Sequence, residues 1–400
     1  MGCVPLLSLR FDLLSLALTD WAGLISGEGA ARTISPHNAL VLMSSKLFCF
    51  AALNASLMAS FTLAAPFVPT RNAHCVAYSP DGKQVATGTS GMSNDEFPPQ
   101  PHPSPRKCGV VQVFEMETGK RLQRIESFGD LTRVKFSPDG RFVAYARMFA
   151  SADGVSLNAV EVFRIADGYR IRKFDRCHAF DFSLDAKTIA VLSRTKCILF
   201  DIATGDKVRE VTPIKHAIDV RFSPNGKSLA AIVQRDERFR IVTCTSATGE
   251  TMAETVEFDA PFYSIGFSSG GQWLVSGHTE GTVVIWDTEE LKPIASLKTG
   301  NKGIARPFFA PGGELLAAGS QDNGDVVFWD LASRKEVRRY TFQRGTFITY
   351  TRRGADQSVR PELDPDRFTF SPDGQAFLAG CYGGMIRMVS DGRDVKTFGD

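Results

Sequence analysis

Apolar and polar residues alternate in short runs along the chain from about residue 74 to the C-terminus. In the segment VKFSPDGRFVAYA, Val134 and Phe136 alternate with polar neighbours, as in a strand with one buried face. Pro138 then presets a turn, and Gly140 supplies the backbone freedom that a chain reversal needs. The pattern therefore predicts a β-hairpin.

The same turn returns seven times along the chain. From the second to the sixth copy, successive turns begin 40 to 46 residues apart, which is the sequence mark of a repeat architecture. Three copies read Ser-Pro-Asp-Gly and four are altered: Ser79–Gly82, Ser137–Gly140, Ser183–Ala186, Ser223–Gly226, Ser268–Gly271, Ala310–Gly313 and Ser371–Gly374.

Each unit holds two further strand patterns after its hairpin. A third strand such as TVVIWD from Thr282 precedes a polar turn such as ETGK from Glu117, and a fourth strand follows, as in RLQRIESF. Four short antiparallel strands cannot bury both faces of their sheet alone, so the units must stack on one another.

Two third strands end in Trp-Asp, at Trp286-Asp287 and Trp329-Asp330, and ATGD from Ala203 follows another. On these motifs residues 74–400 resemble the WD-repeat family of β-propellers. The resemblance implies an all-β fold, a seven-bladed β-propeller of four-stranded antiparallel blades. The family's Gly-His pair ahead of the innermost strand is absent, and Gly277-His278 follows a second strand instead. Of the family's His-Ser-Trp-Asp network we expect only the part that Ser276 can form with Trp286.

The N-terminal residues lie outside the repeat. Residues 1–42 show no period and are expected to be a non-repeat extension, with Met43 as the true start of the protein. Residues 43–65 hold one Lys and then an uncharged run ending in Ala-Ala, the layout of a secretory signal peptide cut after Ala64. The alternative is an uncleaved anchor, which its four polar residues disfavour. Residues 66–400 would then be an exported, bacterial-type propeller in the periplasm or outside the cell, with a cytoplasmic location as the alternative.

Composition agrees with one large all-β domain. The chain is 43% apolar with 30 Phe, and 46 basic residues nearly balance 44 acidic ones, so the net charge is +2. We therefore expect no nucleic-acid partner, and membrane attachment only if the leader stays uncleaved.

The sequence leaves open which strand closes the ring. The ring closes either through a fourth strand of the last unit, residues 394–398, or through Phe67 and Val68.

Two cysteine pairs, Cys75 with Cys108 and Cys177 with Cys197, fall on first and third strands, about 9.5 Å apart. We predict that both pairs stay unbridged, because a disulfide needs a shorter separation.

Motifs of catalysis are absent from the sequence, so we expect neither an enzyme nor a cofactor. Three histidines, His74, His178 and His216, do fall at the entrances of innermost strands in three units. They could converge as metal ligands on the channel axis, or be polar loop residues. Because they differ in phase relative to the turn, we expect no metal.

The repeat is interrupted on one face only. Inserts at about residues 89–107 and 149–158, and a long stretch at about 346–366, all lengthen connections of the face opposite the tight turns. Such loops suggest that this face meets a partner, although insertions also drift where a fold tolerates them. The charged residues just before the inner strands, together with the three histidines, form the predicted contact surface: Arg133, Asp219, Arg306, Arg367, His74, His178 and His216.

Two classes of function follow. The first is a monomeric, non-catalytic scaffold that presents its loop-rich face to a protein or peptide. The alternative is a propeller enzyme, or a binder of a small ligand or metal, with its site at the channel mouth.

Overall fold

The computed structural model describes residues 73–89, 108–148, 158–300, 303–320, 326–340, 368–380, 386–390 and 393–398. All of them lie in the unit Ala64–Asp400. The predictions for residues 1–42, for residues 43–65 and for the three loop inserts fall mostly or wholly outside these ranges. Within the described residues, no helix is long and apolar enough to cross a membrane.

The described residues form seven four-stranded antiparallel sheets, each made of four consecutive strands. Blade 1 holds β1 (Ala73–Tyr78), β2 (Gln84–Thr89), β3 (Cys108–Glu115) and β4 (Arg121–Phe128). Blade 2 holds β5 (Asp130–Phe136), β6 (Phe142–Met148), β7 (Ala159–Arg164) and β8 (Arg170–Asp175). Blade 3 holds β9 (Cys177–Phe182), β10 (Thr188–Ser193), β11 (Cys197–Asp201) and β12 (Lys207–Glu210), and a short 3-10 turn, Thr212–Ile214, follows it.

The remaining four blades repeat this order. Blade 4 holds β13 (Ala217–Phe222), β14 (Ser228–Arg235), β15 (Arg238–Thr245) and β16 (Thr251–Glu254). Blade 5 holds β17 (Phe262–Phe267), β18 (Trp273–His278), β19 (Thr282–Asp287) and β20 (Pro293–Lys298). Blade 6 holds β21 (Ala305–Phe309), β22 (Leu315–Ser320), β23 (Val326–Asp330) and β24 (Lys335–Tyr340). Blade 7 holds β25 (Phe368–Phe370), β26 (Ala376–Gly380), β27 (Ile386–Ser390) and β28 (Arg393–Phe398).

The predicted fold class is thereby confirmed, as an all-β protein of seven antiparallel blades. The last blade supplies its own fourth strand, since β28 pairs with β27. This is the first of the two closures that the sequence left open. Phe67 and Val68 lie outside the described residues.

Hydrophobic clusters fill the interfaces between neighbouring blades. Seven such clusters occur among the described residues, and each joins two adjacent blades. One cluster packs Val76 and Val85 of blade 1 against Leu378 of blade 7, so the ring closes by apolar burial. The alternating pattern thus buries both faces of each sheet, which one blade could not do alone.

The recurring turns are held by their serine. In the second copy the Ser137 hydroxyl donates to Asp139 at 2.6 Å and accepts the Phe142 N–H at 2.9 Å. Gly140 then takes a positive φ of 70°, which glycine adopts without steric cost. A Cβ on Gly140 would lie 3.9 Å from Cδ of Pro80 in the preceding blade's turn, and one on Gly82 would lie 3.5 Å from Pro372 Cδ. The tight turns of neighbouring blades therefore lie close together around one face.

Cysteine positions follow the predicted strand order. Strand β10 lies between β9, which carries Cys177, and β11, which carries Cys197. Both are buried free thiols, as are Cys75 and Cys244. Burial raises the pKa of the Cys177 thiol to about 12 and that of Cys244 to about 11, so both are protonated and unreactive at neutral pH. The Cys108 side chain is outside the described part.

Candidate interaction site

The first strand of each blade lies at one edge of its sheet and lines the axis of the ring. On β5 of blade 2, Arg133 Nη1 donates to Asp219 Oδ1 at 2.8 Å and to the Phe180 carbonyl at 3.3 Å. Asp219 belongs to blade 4 and Phe180 to the innermost strand of blade 3. Because blade 3 stands between the other two, the ion pair passes on the axial side of β9.

A β-bulge precedes each partner of this pair. The register of β5 shifts between Leu131 and Arg133, and that of β13 shifts between Ala217 and Asp219. An extra residue in one strand changes the direction of the side chains that follow it. The bulges therefore help to direct Arg133 and Asp219 toward the axis.

Two further pairs continue this network. Lys135 Nζ donates to Asp181 Oδ1 at 2.7 Å, and Arg221 Nη1 donates to Asp219 Oδ1 at 2.9 Å. We call the five residues Arg133, Lys135, Asp181, Asp219 and Arg221 the channel charge cluster. Desolvation lowers the pKa of Lys135, and the nearby Arg221 and Arg133 lower it further, while Asp181 opposes both effects. The ammonium of Lys135 therefore lies in an environment that disfavours its positive charge.

The predicted contact residues Arg133 and Asp219 are thus brought together, but they are buried. Their exposed fractions are 8% and 1%. In the structure the two side chains form an ion pair with each other. Their contact with another protein remains a prediction. The sequence predicts both residues as charged positions four residues before a turn. It does not predict that they form a pair, because a repeat pattern contains no information on which blades contact each other at the axis.

The other predicted residues fall in different surroundings. His178 is buried, and its Nε2 lies 3.2 Å from the Ala217 carbonyl, so this nitrogen carries the proton. His216 is exposed and takes a positive φ of 58°. Arg306 is half-buried on β21. His74 lies on β1, but its side chain is outside the described part, as is all of Arg367. Within the described ranges, no group of three His, Cys, Asp or Glu is arranged to hold a metal.

A hydrogen-bond network in blade 5 is larger than the sequence predicts. Trp286 Nε1 donates to Ser276 Oγ at 2.7 Å, as expected, and Ser276 Oγ lies 2.8 Å from His278 Nε2. The expectation that only Ser276 and Trp286 take part was wrong. Ser276 and His278 lie two residues apart on β18 and so share a face, which lets a histidine after the second strand join the network. Burial lowers the pKa of His278 to about 4, and nearby Lys298 adds to the effect.

The hairpin of β14 and β15 has the longest second strand among the described blades, and its turn lies on the face opposite the tight turns. Strand β14 has eight residues, whereas the second strands of the other blades have five to seven. Its two-residue loop, Asp236 and Glu237, has positive φ at both positions, as in a type I′ turn. Arg238 pairs with Glu257 at 3.4 Å and Asp259 at 3.3 Å, which braces the hairpin on the next connection.

The base of this hairpin is apolar and its tip is exposed. Phe239 pairs with Phe258 as an isolated bridge, and both rings contact Phe262. Val256 beside them is 75% exposed. We call the exposed residues 235–238 together with Val256 the blade-4 ridge. It is a described part of the loop-rich face. No insert in the sequence marks it, because its turn is as short as any hairpin turn.

Fold and geometry together define a seven-bladed β-propeller with a charged channel wall and a ridge on one face. Residues 255–287, which end in Trp286-Asp287, match the family described as WD domain, G-beta repeat. This match and the seven-bladed fold support a WD-repeat family for the chain.

Relatives agree with this assignment at low identity. The chain is 22% identical to periodic tryptophan protein 2 of Arabidopsis thaliana, over 73% of this chain and 31% of that protein. It is 22% identical to WD repeat-containing protein 82 of Drosophila melanogaster, over 60% of this chain and 72% of the relative. For small ribosomal subunit protein RACK1 of Glycine max, identity is 25% over 32% of this chain and 39% of the relative. The chain thus spans about a third of the length of the Arabidopsis relative.

A solved structure shares the fold. A chain of Kuenenia stuttgartiensis hydrazine synthase superposes with a TM-score of 0.60 at 18% identity, covering 80% of this chain and 96% of that one. At this identity the likeness concerns the fold alone.

Proposed function

We propose that this protein is a non-catalytic scaffold that binds a protein or peptide through the face opposite its tight turns. WD-repeat propellers commonly serve as protein-interaction scaffolds, which supports the proposal at the level of the family. The observation that carries it is the blade-4 ridge, a braced and exposed hairpin on that face. Monomeric state and export through residues 43–65 belong to the same proposal.

The ridge suits recognition because it is rigid and mixed in character. Arg238 is held by two carboxylates, while the Arg235 and Asp236 side chains are 74% and 92% exposed. Val256 adds an exposed apolar side chain beside these charges. A preorganised surface loses little conformational entropy on binding, which favours affinity. On the opposite face the turns are short. Their serines form hydrogen bonds within the turn, and their glycines take the positive φ that the turn requires.

The test changes the exposed side chains of the ridge with substitutions that its turn conformation tolerates, so that an effect on binding is separate from an effect on folding. Asp236→Asn with Glu237→Gly removes both tip charges and supplies the residues that a type I′ turn favours, so the hairpin itself should not be weakened. Combined with Val256→Asp, the change should reduce capture of the partner from the exported fraction at least tenfold.

The matched control changes exposed cations on the tight-turn face, Lys83→Ala and Lys187→Ala, and should leave capture intact. Capture that is unchanged by the ridge variant, or equally reduced by the control, would refute the proposed face. N-terminal sequencing of the natural protein tests export separately, and a mature chain that begins near Met1 would refute that part.

A further inference from the structure

One ladder position of the outer strands is basic in three adjacent blades. It is the residue that pairs with the last residue but one of the third strand. In blades 1 to 3 this residue is a cation: Arg121, Arg170 and Lys207. In blades 4 to 7 it is neutral or acidic: Thr251, Pro293, Glu336 and Asp394. The three adjacent cations are therefore not a requirement of the fold.

The next paired residue extends this charge in blades 2 and 3. It is Arg172 in β8 and Arg209 in β12. We call the five residues Arg121, Arg170, Arg172, Lys207 and Arg209 the rim patch. Arg172 Nη2 donates at 2.6 Å to the carbonyl of Ala203, in the turn that leads into β12. The basic strands of neighbouring blades are thereby joined along the outer rim of the ring.

Ion pairs compensate the charge of the rim patch in part. Glu161 pairs with Arg170 at 3.1 Å, and Glu210 pairs with the patch lysine at 3.2 Å. For the other three cations, the described residues provide no ion pair. The Nε atoms of Arg172 and Arg209 are buried and have no hydrogen-bond partner in the described part of the chain. The patch therefore keeps positive charge for a ligand of opposite sign.

Two exposed apolar side chains lie among these cations. Tyr169 directly precedes Arg170 and is 64% exposed, and Val208 lies between two patch residues and is 54% exposed. The Arg164 guanidinium lies 5.9 Å from the centroid of the Tyr169 ring. The patch therefore lacks the set of open aromatic rings on which nucleic-acid bases stack. Cations beside apolar side chains suit a polypeptide that carries carboxylates and apolar side chains together.

We infer that the rim patch binds an acidic segment of a partner protein, with carboxylates on the cations and an apolar side chain against Val208. Strands β4, β8 and β12 each form the outer edge of their sheet, where an extended segment can lie alongside the strand. The rim patch is a second contact surface on the circumference of the ring. It does not rest on the blade-4 ridge.

The test measures, by fluorescence anisotropy, the binding of three labelled probes of equal charge to the purified full chain. The probes are a peptide of Glu and Leu, a peptide of Glu without Leu, and an oligothymidylate. The Glu–Leu peptide should bind saturably and most tightly, and added salt should weaken its binding.

Arg121→Glu with Lys207→Glu should weaken binding of the Glu–Leu peptide about tenfold, because each change replaces an attraction by a repulsion. The fold should tolerate both changes, since blade 6 has Glu336 at the same ladder position. An unchanged melting temperature checks this. Val208→Ser should weaken binding of the Glu–Leu peptide but not that of the peptide without Leu.

The matched control reverses two exposed cations on the outer strand of blade 6, Lys335→Glu with Arg338→Glu, and should leave binding unchanged. Both double variants change the net charge equally, so attraction to the overall charge would weaken binding equally in both. The inference is overturned if neither peptide binds saturably, or if the two double variants have the same effect. It is also overturned if Val208→Ser affects both peptides alike, or if the oligothymidylate binds more tightly than the Glu–Leu peptide.

Discussion

Arg133 and Asp219 are 86 residues apart in sequence, yet Arg133 Nη1 lies 2.8 Å from Asp219 Oδ1, with a whole blade between their own. The same guanidinium nitrogen also bonds the Phe180 carbonyl of that intervening blade. Three successive blades are thus tied at their inner edges by one side chain. The seven hydrophobic clusters, by contrast, join blades only in adjacent pairs.

Replacing Arg133 by Met should destabilise the protein strongly. The Asp219 carboxylate, 1% exposed, would keep its ion pair with Arg221 but lose the one with Arg133. Breaking a buried pair from one side costs about 3 to 5 kcal/mol, and the remaining Arg221 places the expected loss near the lower figure. Urea unfolding of the two proteins measures the difference.

Two comparisons make that measurement specific. The double variant Arg133→Met, Asp219→Asn should lose at least as much as Arg133→Met, because the buried Arg221 then loses its ion pair with Asp219 as well. Arg164→Met breaks the exposed pair with Asp167 and should cost less than about 1 kcal/mol. Equal losses for Arg133→Met and Arg164→Met would show that the axial pair contributes no more than a surface one.

The His278 network should make stability depend on pH in a defined window. Neutral His278 forms a hydrogen bond with Ser276, and burial lowers its pKa from 6.5 in the unfolded chain to about 4 in the folded one. Between these values the unfolded chain binds more protons, so the free energy of unfolding falls as pH falls from 6.5 to 4. The loss is at most about 3 kcal/mol and is absent above pH 6.5.

Urea unfolding across pH 4 to 7 checks this, with His278→Gln expected to flatten the profile. The pKa of Asp81 and Asp373 is held below 3.8 by hydroxyl and N–H bonds of their turns, so these aspartates also lose stabilisation as the pH approaches 4. The variant His278→Gln keeps this loss, and its difference from the unchanged protein therefore reports the histidine alone. His216→Asn, at an exposed histidine, should keep the acid-dependent loss because His278 is untouched. An unchanged slope in His278→Gln would assign the dependence to other groups.

Two substitutions can give the sixth turn the serine and the aspartate that it lacks. Ala310 stands where five other turns have Ser with Asp or Asn two residues later, and its backbone already makes the same bond, from Ala310 N to the Leu315 carbonyl. A Cβ on Gly312 would meet no atom within 4 Å, so an aspartate fits there. Ala310→Ser with Gly312→Asp should raise the free energy of unfolding by about 1 kcal/mol.

Thermal unfolding measures this gain, and Gly313→Asp is the contrasting change. Gly313 has a φ of 73°, and a Cβ there would lie 3.0 Å from Ser269 Oγ, so aspartate should destabilise the same turn. If both variants shift the melting temperature in the same direction, the serine–aspartate bonds are not what stabilises these turns.

The sequence predicts the blades well because the information is local. Each unit carries its own alternation, its Ser137-type turn and its Phe-rich strands, and those features need no partner from elsewhere in the chain. The Arg133–Asp219 pair depends on ring curvature and on two bulges, which a repeat pattern does not contain. His278 was misjudged for a related reason, because the network accepts a histidine from the end of β18 when geometry brings its ring beside Ser276.

Removing β28 tests which strand closes the ring. Strand β28 is the outer strand of blade 7 and pairs with β27 from Arg393 to Phe398. Deleting residues 393–400 would leave β27 as an open edge and remove the whole ladder between them, so the melting temperature should fall by several degrees. Phe67→Asp with Val68→Asp changes the other candidate for an outer strand and should cost less, because β28 already pairs with β27. A deletion that melts like the full chain, or a double aspartate variant that loses more, would favour closure by the N-terminal segment.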